Sequence, residues 1–158
     1  MLHLIPAPLH RAMLPLAHWL RHHWRRLRRT PIAGCSIIVH DFSDAVLMMR
    51  HSYGPAVWAL PGGGIGAHEE PERAARRELL EETGIEAANL TLVTIIDEEI
   101  SGSPHRCHLF SANCNDLARP DGREVVEARF FPLHSLPHPL GIAAMKQLTI
   151  WREWMKSQ

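Results

Sequence analysis

The sequence predicts an α/β sandwich preceded by a basic amphipathic helix. Three observations point there: short apolar runs of strand length surround one central helical stretch, a second helical stretch lies near the C-terminus, and an arginine-decorated apolar stripe comes before them all. At 158 residues with 46% hydrophobic content, the chain can bury one core but not two of ordinary domain size. We therefore divide it into an appendage, residues 1–30, and a single domain, residues 31–158.

In the appendage, Leu9, Met13, Leu16, Leu20, Trp24 and Leu27 recur every three or four residues, the spacing of one helical face. Arg11, Arg21, Arg25, Arg26, Arg28 and Arg29 occupy the remainder, and Pro31 ends the helix. Packing of this stripe on its own domain is the favoured reading, against an interfacial membrane helix or an organellar targeting peptide. A secretory signal is disfavoured, because the arginines follow the apolar part and no small-residue cleavage site closes it.

From Ile32 the periodicity changes. Ile32 to His40 and Ala45 to Arg50 read as strands joined by a turn at Asp41 to Asp44, and Trp58 to Leu60 reads as a third short stretch. Gly62, Gly63 and Gly64 read as a loop. Pro71 suits the first turn of a helix and Gly84 the left-handed position beyond its end, so the helix spans Pro71 to Thr83. Leu90 to Glu99, Arg106 to Asn113 and Val125 to Leu133 follow as strands, and Leu140 to Met155 as the last helix.

Seventeen basic residues balance 17 acidic ones, so the chain lacks the polycationic character that draws proteins onto nucleic acid. Cys35, Cys107 and Cys114 are odd in number and lack CxxC spacing, which excludes a disulfide framework or a structural zinc site and suits a reducing cytoplasm. No apolar run approaches the roughly 18 residues that would mark a membrane span.

Chemistry concentrates on the central helix. Glu78, Glu81 and Glu82 stand at i, i+3 and i+4 and share one face, where like charges repel. Two readings stay open on the helix alone: a divalent cation held by carboxylate oxygens, or a solvated face balanced by Arg73, Arg76 and Arg77. The preceding glycines favour the first, since their backbone groups can approach a metal and phosphate cluster without side chains in the way. The loop lacks the Gly-Lys-Ser/Thr ending of a Walker P-loop.

Read in order, Gly63, five residues, Glu69, seven residues, Arg77, Glu78, Leu79, one residue, Glu81, Glu82, one residue, Gly84 and Ile85 resembles the complete Nudix box, nine specified positions in 23 residues. The order of elements from Ile32 to about Met155 is similar to that family's fold. The resemblance implies a Nudix-type α/β/α sandwich with a mixed sheet and a metal-dependent hydrolase of phosphoric anhydrides. By position it makes Glu78, Glu81 and Glu82 ligands of Mg2+ or Mn2+, one of them serving or assisting as general base, with the Gly62 carbonyl as a further ligand. Glu69 and Arg77 become the supporting pair that orients the helix against the glycines.

Relatives also use an acid outside the box. Here Glu124 and Glu127 precede the aromatic stretch Phe130 and Phe131; Glu124, next to Asp121 and Gly122, is our choice, and Glu98 and Glu99 are the reserves. Arg50 ends the second strand near where relatives hold phosphate, and with Gly63 and Gly64 it completes the expected substrate-binding set. Trp58 and Tyr53 are candidates for stacking on a base, although a tryptophan beside a strand is more often core. The expected partner is a small-molecule nucleotide substrate, a nucleoside diphosphate linked to another moiety; nucleic acid is not required, a membrane is disfavoured and a homodimer is admissible. A non-catalytic nucleotide-sensing module is the alternative, but such a module should have lost a box glutamate, and none is missing. The marker motifs of particular substrates are not found between Ile85 and Pro104.

Overall fold

A computed structural model describes residues 32–100, 102–120, 122 and 124–158. The amphipathic helix expected in residues 1–30 lies outside them. The described elements are β1 (Ile32–His40), β2 (Ala45–His51), β3 (Gly62–Gly64), α1 (Pro71–Thr83), β4 (Thr91–Ile100), β5 (Ser103–Asn113), β6 (Val125–Pro132) and α2 (Ile142–Lys156). They form a six-stranded mixed sheet with strand order β4-β5-β1-β2-β6, and β3 is joined to β1.

β1 is the axis of this sheet. It pairs parallel with β5 over its whole length, from Ile32 opposite His105 to His40 opposite Asn113. Its other edge is shared: His40 meets Val46 of β2, while Gly34, Cys35 and Ser36 meet Gly64, Gly63 and Gly62 of β3. All pairs but β1–β5 are antiparallel.

Alternation along the strands sends side chains to two separate cores. Cys35, Ile37, Val39 and Leu47 pack with Ala74, Ala75 and Leu79 of α1. Ile38, Val46 and Met48 pack with Ala144, Leu148 and Trp151 of α2. The sheet thus lies between two helices, as an α/β/α sandwich requires. Trp151 is buried, and its indole N–H donates to Ser111 Oγ at 2.9 Å, so its polar end is satisfied in the core.

The ends of α1 follow from local chemistry. Pro71 opens the helix, and Gly84 closes it at φ 71°, its N–H donating to Leu80 O at 2.9 Å. Two expectations need correction. The glycines are not a loop: the three residues form β3, because a strand without side chains fits against the edge of β1 beside α1. Trp58 to Leu60 is not a strand: it contributes only single bridges, Trp58 to Leu140 and Ala59 to Met49, and Trp58 and Leu60 are buried beneath α2.

Leu79, fully buried where α1 meets the sheet, anchors the helix. Leu79→Ala is expected to cost about 3 kcal/mol of stability, read as a lower denaturation midpoint with an unchanged slope; a loss below 1 kcal/mol would show that α1 is not held by this contact.

Candidate active site

The site is assembled where α1 crosses β3. A Cβ on Gly63 would overlap the Glu78 carboxyl group, and a Cβ on Gly62, whose φ is 150°, would overlap the Cys35 backbone. Both positions therefore require glycine, which lets the helix lie close against bare backbone.

Arg77 joins the parts. Its Nε and Nη2 grip Glu69 Oε1 and Oε2 at 3.0 Å each, a bidentate fork. Nη1 donates to Glu78 Oε1 at 2.7 Å and to Glu81 Oε2 at 3.4 Å, and Nη2 also donates to Gly64 O at 3.1 Å. Glu69 is held a third time by the Gly66 N–H at 2.8 Å. The arginine beside it and this N–H bring the Glu69 carboxyl down to about 2.

Glu82 faces the opposite situation. It is buried, and among the described residues the Gly62 N–H, at 2.9 Å, is the one donor to it. Burial pushes its carboxyl up to about 8, against that N–H, and the charges of Glu78, Glu124 and Glu81 push the same way. Glu78 is also raised, first by burial, with Arg77 opposing. Among the described residues no three acidic, histidine or cysteine side chains converge on one metal-sized point; Glu78 and Glu82 each turn to a local donor. The donor set nevertheless suits a hard divalent cation, since it consists of carboxylate oxygens, and burial disfavours the ionised forms of Glu78 and Glu82.

The structure brings Glu69, Arg77, Glu78, Glu81, Glu82 and the Gly62 to Gly64 backbone together. Glu124 is close enough for its charge to disfavour ionisation of both Glu78 and Glu82. Glu127 is engaged elsewhere, 3.8 Å from Arg50 and 3.0 Å from Arg129. Arg50 lies opposite Glu127 in the β2–β6 register, with its guanidinium 5.6 Å from the centre of the Trp58 ring. Trp58 itself is a core residue, set edge-on to Phe131 at 4.9 Å.

On the other side of β3 lies a cleft of about 430 Å³. Gly62 to Gly64 form one wall; Tyr53, His51, Glu98, His105 and Gln147 line the rest. Sequence reasoning held Glu98 only as a spare metal ligand and passed over His105 and Gln147. Their convergence depends on the β4–β5 register and on how α2 docks, and neither is written in local residue patterns.

The NUDIX domain family model matches residues 30–151. Diphosphoinositol polyphosphate phosphohydrolase 3-alpha of Mus musculus is 32% identical over 85 residues, covering 54% of this chain and 51% of that protein. Diphosphoinositol polyphosphate phosphohydrolase 2 of Rattus norvegicus is 33% identical over 85 residues, 54% of this chain and 46% of that protein. The matched region spans about half the length of these curated relatives. Among solved structures, the MutT NUDIX hydrolase from Burkholderia pseudomallei superposes with a TM-score of 0.68 at 27% identity, covering 75% of this chain and 96% of that one. The NUDIX domain of Shewanella oneidensis NrtR complexed with ADP ribose shares the fold, with a TM-score of 0.70 at 18% identity over 88% of this chain and 97% of that one.

Glu82 generates a pH signature in metal-free protein. Its carboxyl takes up a proton near 8 when folded and near the ordinary 4.5 when unfolded, so the folded chain binds the extra proton between those values. The stabilisation is full below about 4.5 and is lost as pH rises through about 8. Relative to wild type in chelator, Glu82→Gln is expected to gain melting temperature from pH 5.5 to pH 8.5, by roughly 5 °C at the upper end; a difference independent of pH would remove Glu82 as its source.

Proposed function

The chain belongs to the Nudix family, and from that membership we propose that it is a metal-dependent hydrolase cleaving a phosphoric anhydride bond in a nucleoside diphosphate linked to another moiety, such as a nucleoside triphosphate or a nucleotide sugar. The observation that carries the reading is the Arg77 hub, which fixes Glu69, Glu78 and the Gly64 carbonyl in one rigid unit beside the buried Glu82.

Glu78, Glu81 and Glu82 would hold Mg2+ or Mn2+, with the Gly62 carbonyl as a further oxygen. A cation held there would supply charge neutralisation to the phosphate oxygens and would make a water easier to deprotonate. The chain's own groups do the remaining work. Glycine backbone in β3 lets a diphosphate approach the helix face without side-chain obstruction. Arg77 prevents the glutamates from drifting apart under their mutual repulsion, since it bridges three carboxylates to fixed backbone. A carboxylate of this cluster accepts the proton of the attacking water, and Glu124, in the loop before β6, is the added acid able to join it. The products are two phosphate-ended fragments; a nucleoside triphosphate yields a monophosphate and pyrophosphate.

With magnesium or manganese, wild type is expected to release nucleoside monophosphate from at least one class in a panel of nucleoside triphosphates, dinucleotides and nucleotide sugars. Glu81→Gln and Glu82→Gln should each lower turnover by about a hundredfold or more while the fold persists. Full activity in both variants would defeat the assignment, and nucleotide binding without cleavage by wild type would favour a sensing module.

A further inference from the structure

The cleft beside β3 is poor in cations. Among the described residues that line it there is no lysine or arginine; its one formally charged side chain is Glu98, accompanied by His51 and His105. Glu98 is not a loose surface acid. It lies opposite His105 in the β4–β5 register, and Lys146 of α2 donates to its Oε2 at 3.1 Å. Its Oε1 faces His105 Nδ1 at 3.4 Å, an approach that makes no hydrogen bond, so that side of the carboxylate keeps acceptor capacity. The His105 ring is largely buried and the Glu98 carboxylate only a quarter exposed, which makes the acid a fixed part of the wall.

A fixed carboxylate in a cleft of this size has definite tastes. It accepts from N–H donors and offers a phosphate no donor in return, so acceptor-rich groups are left unmatched against it. A volume of about 430 Å³ falls in the range of small-molecule sites. Tyr53 and His51, whose rings lie 5.3 Å apart, offer aromatic surface in the same cleft. A polyphosphorylated inositol, the kind of group for which the mammalian relatives are named, brings acceptors to this wall; an amino-bearing base brings N–H donors and an aromatic face.

We propose that Glu98, held by Lys146 and set beside His105, is a specificity-determining residue that accepts hydrogen bonds from the amino-bearing base of a nucleotide and turns away polyphosphorylated groups. The inference rests on the hydrolase reading for its setting, but it is tested by binding alone.

The experiment is calorimetric titration of the full chain with AMP, GMP, CMP, UMP and inositol hexakisphosphate, in wild type, Glu98→Gln and Lys146→Met. In wild type at least one amino-bearing monophosphate should bind about tenfold more tightly than UMP, the worth of one hydrogen bond to a charged acceptor, and more tightly than inositol hexakisphosphate. Glu98→Gln should bring the ratio to UMP near one, and Lys146→Met, which only frees the carboxylate, should reduce it part of the way. Equal binding of UMP and all three amino-bearing nucleotides by wild type, tighter binding of inositol hexakisphosphate, or an unchanged ratio in a folded Glu98→Gln protein would overturn the proposal. Selectivity that depends on Glu98 without cleavage of any diphosphate would instead sink the hydrolase reading and leave the cleft assignment standing; vigorous cleavage with no dependence on Glu98 does the reverse.

Discussion

The carboxylate cluster of this protein is held together by one guanidinium. Glu69, Glu78, Glu81 and Glu82 lie within 14 positions of the chain, and the last three share a helix face. Left to themselves they would push the segment from Gly66 to Glu69 away from α1 and splay their own side chains. Arg77 answers this geometrically as well as electrostatically: its planar fork takes both oxygens of Glu69, and its outer nitrogens reach Glu78, Glu81 and the Gly64 carbonyl. A lysine, offering a point charge on a flexible stem, could not hold so many partners in fixed directions. The glycine strand, the loop between Gly66 and Glu69, and the helix therefore behave as one body.

That body is built around an unfavourable burial. Glu82 sits in the interface between α1 and β3, with one backbone N–H to offset the loss of water. The leucine and alanines of α1 bury well against β1, and they supply the stability that such a carboxylate subtracts. Groups kept in an environment that disfavours their charge gain most from a partner that brings the opposite charge, and so the least comfortable residue is the one best placed to bind a cation.

The sequence was read correctly where the signals were local. Pro71 and Gly84 bracket α1, the apolar periods mark β1, β2, β6 and α2, and the box spacing placed the carboxylates on one face. It misled where a local signal carried two meanings. Three glycines usually mark a turn, yet here they form β3 because α1 must lie against a strand that has no side chains. Arg50, expected near substrate phosphate, has surroundings that no local pattern shows: the register across β6 sets it opposite Glu127, and Trp58 lies beneath its guanidinium. Glu98 and His105 were unreadable as a pair for the same reason: their adjacency arises from hairpin register, and Lys146 joins them through tertiary packing alone.

β3 is a partition one backbone thick. On one side stand the glutamates of α1, and on the other opens the cleft walled by β4, β5 and α2. The two sides share β1 and β3, but Glu98, His105 and Gln147 come from β4, β5 and α2, none of which supplies a partner of Arg77. The architecture is in that sense divided: a change at Glu98, His105 or Gln147 alters the cleft wall while leaving the Arg77 hub its own partners.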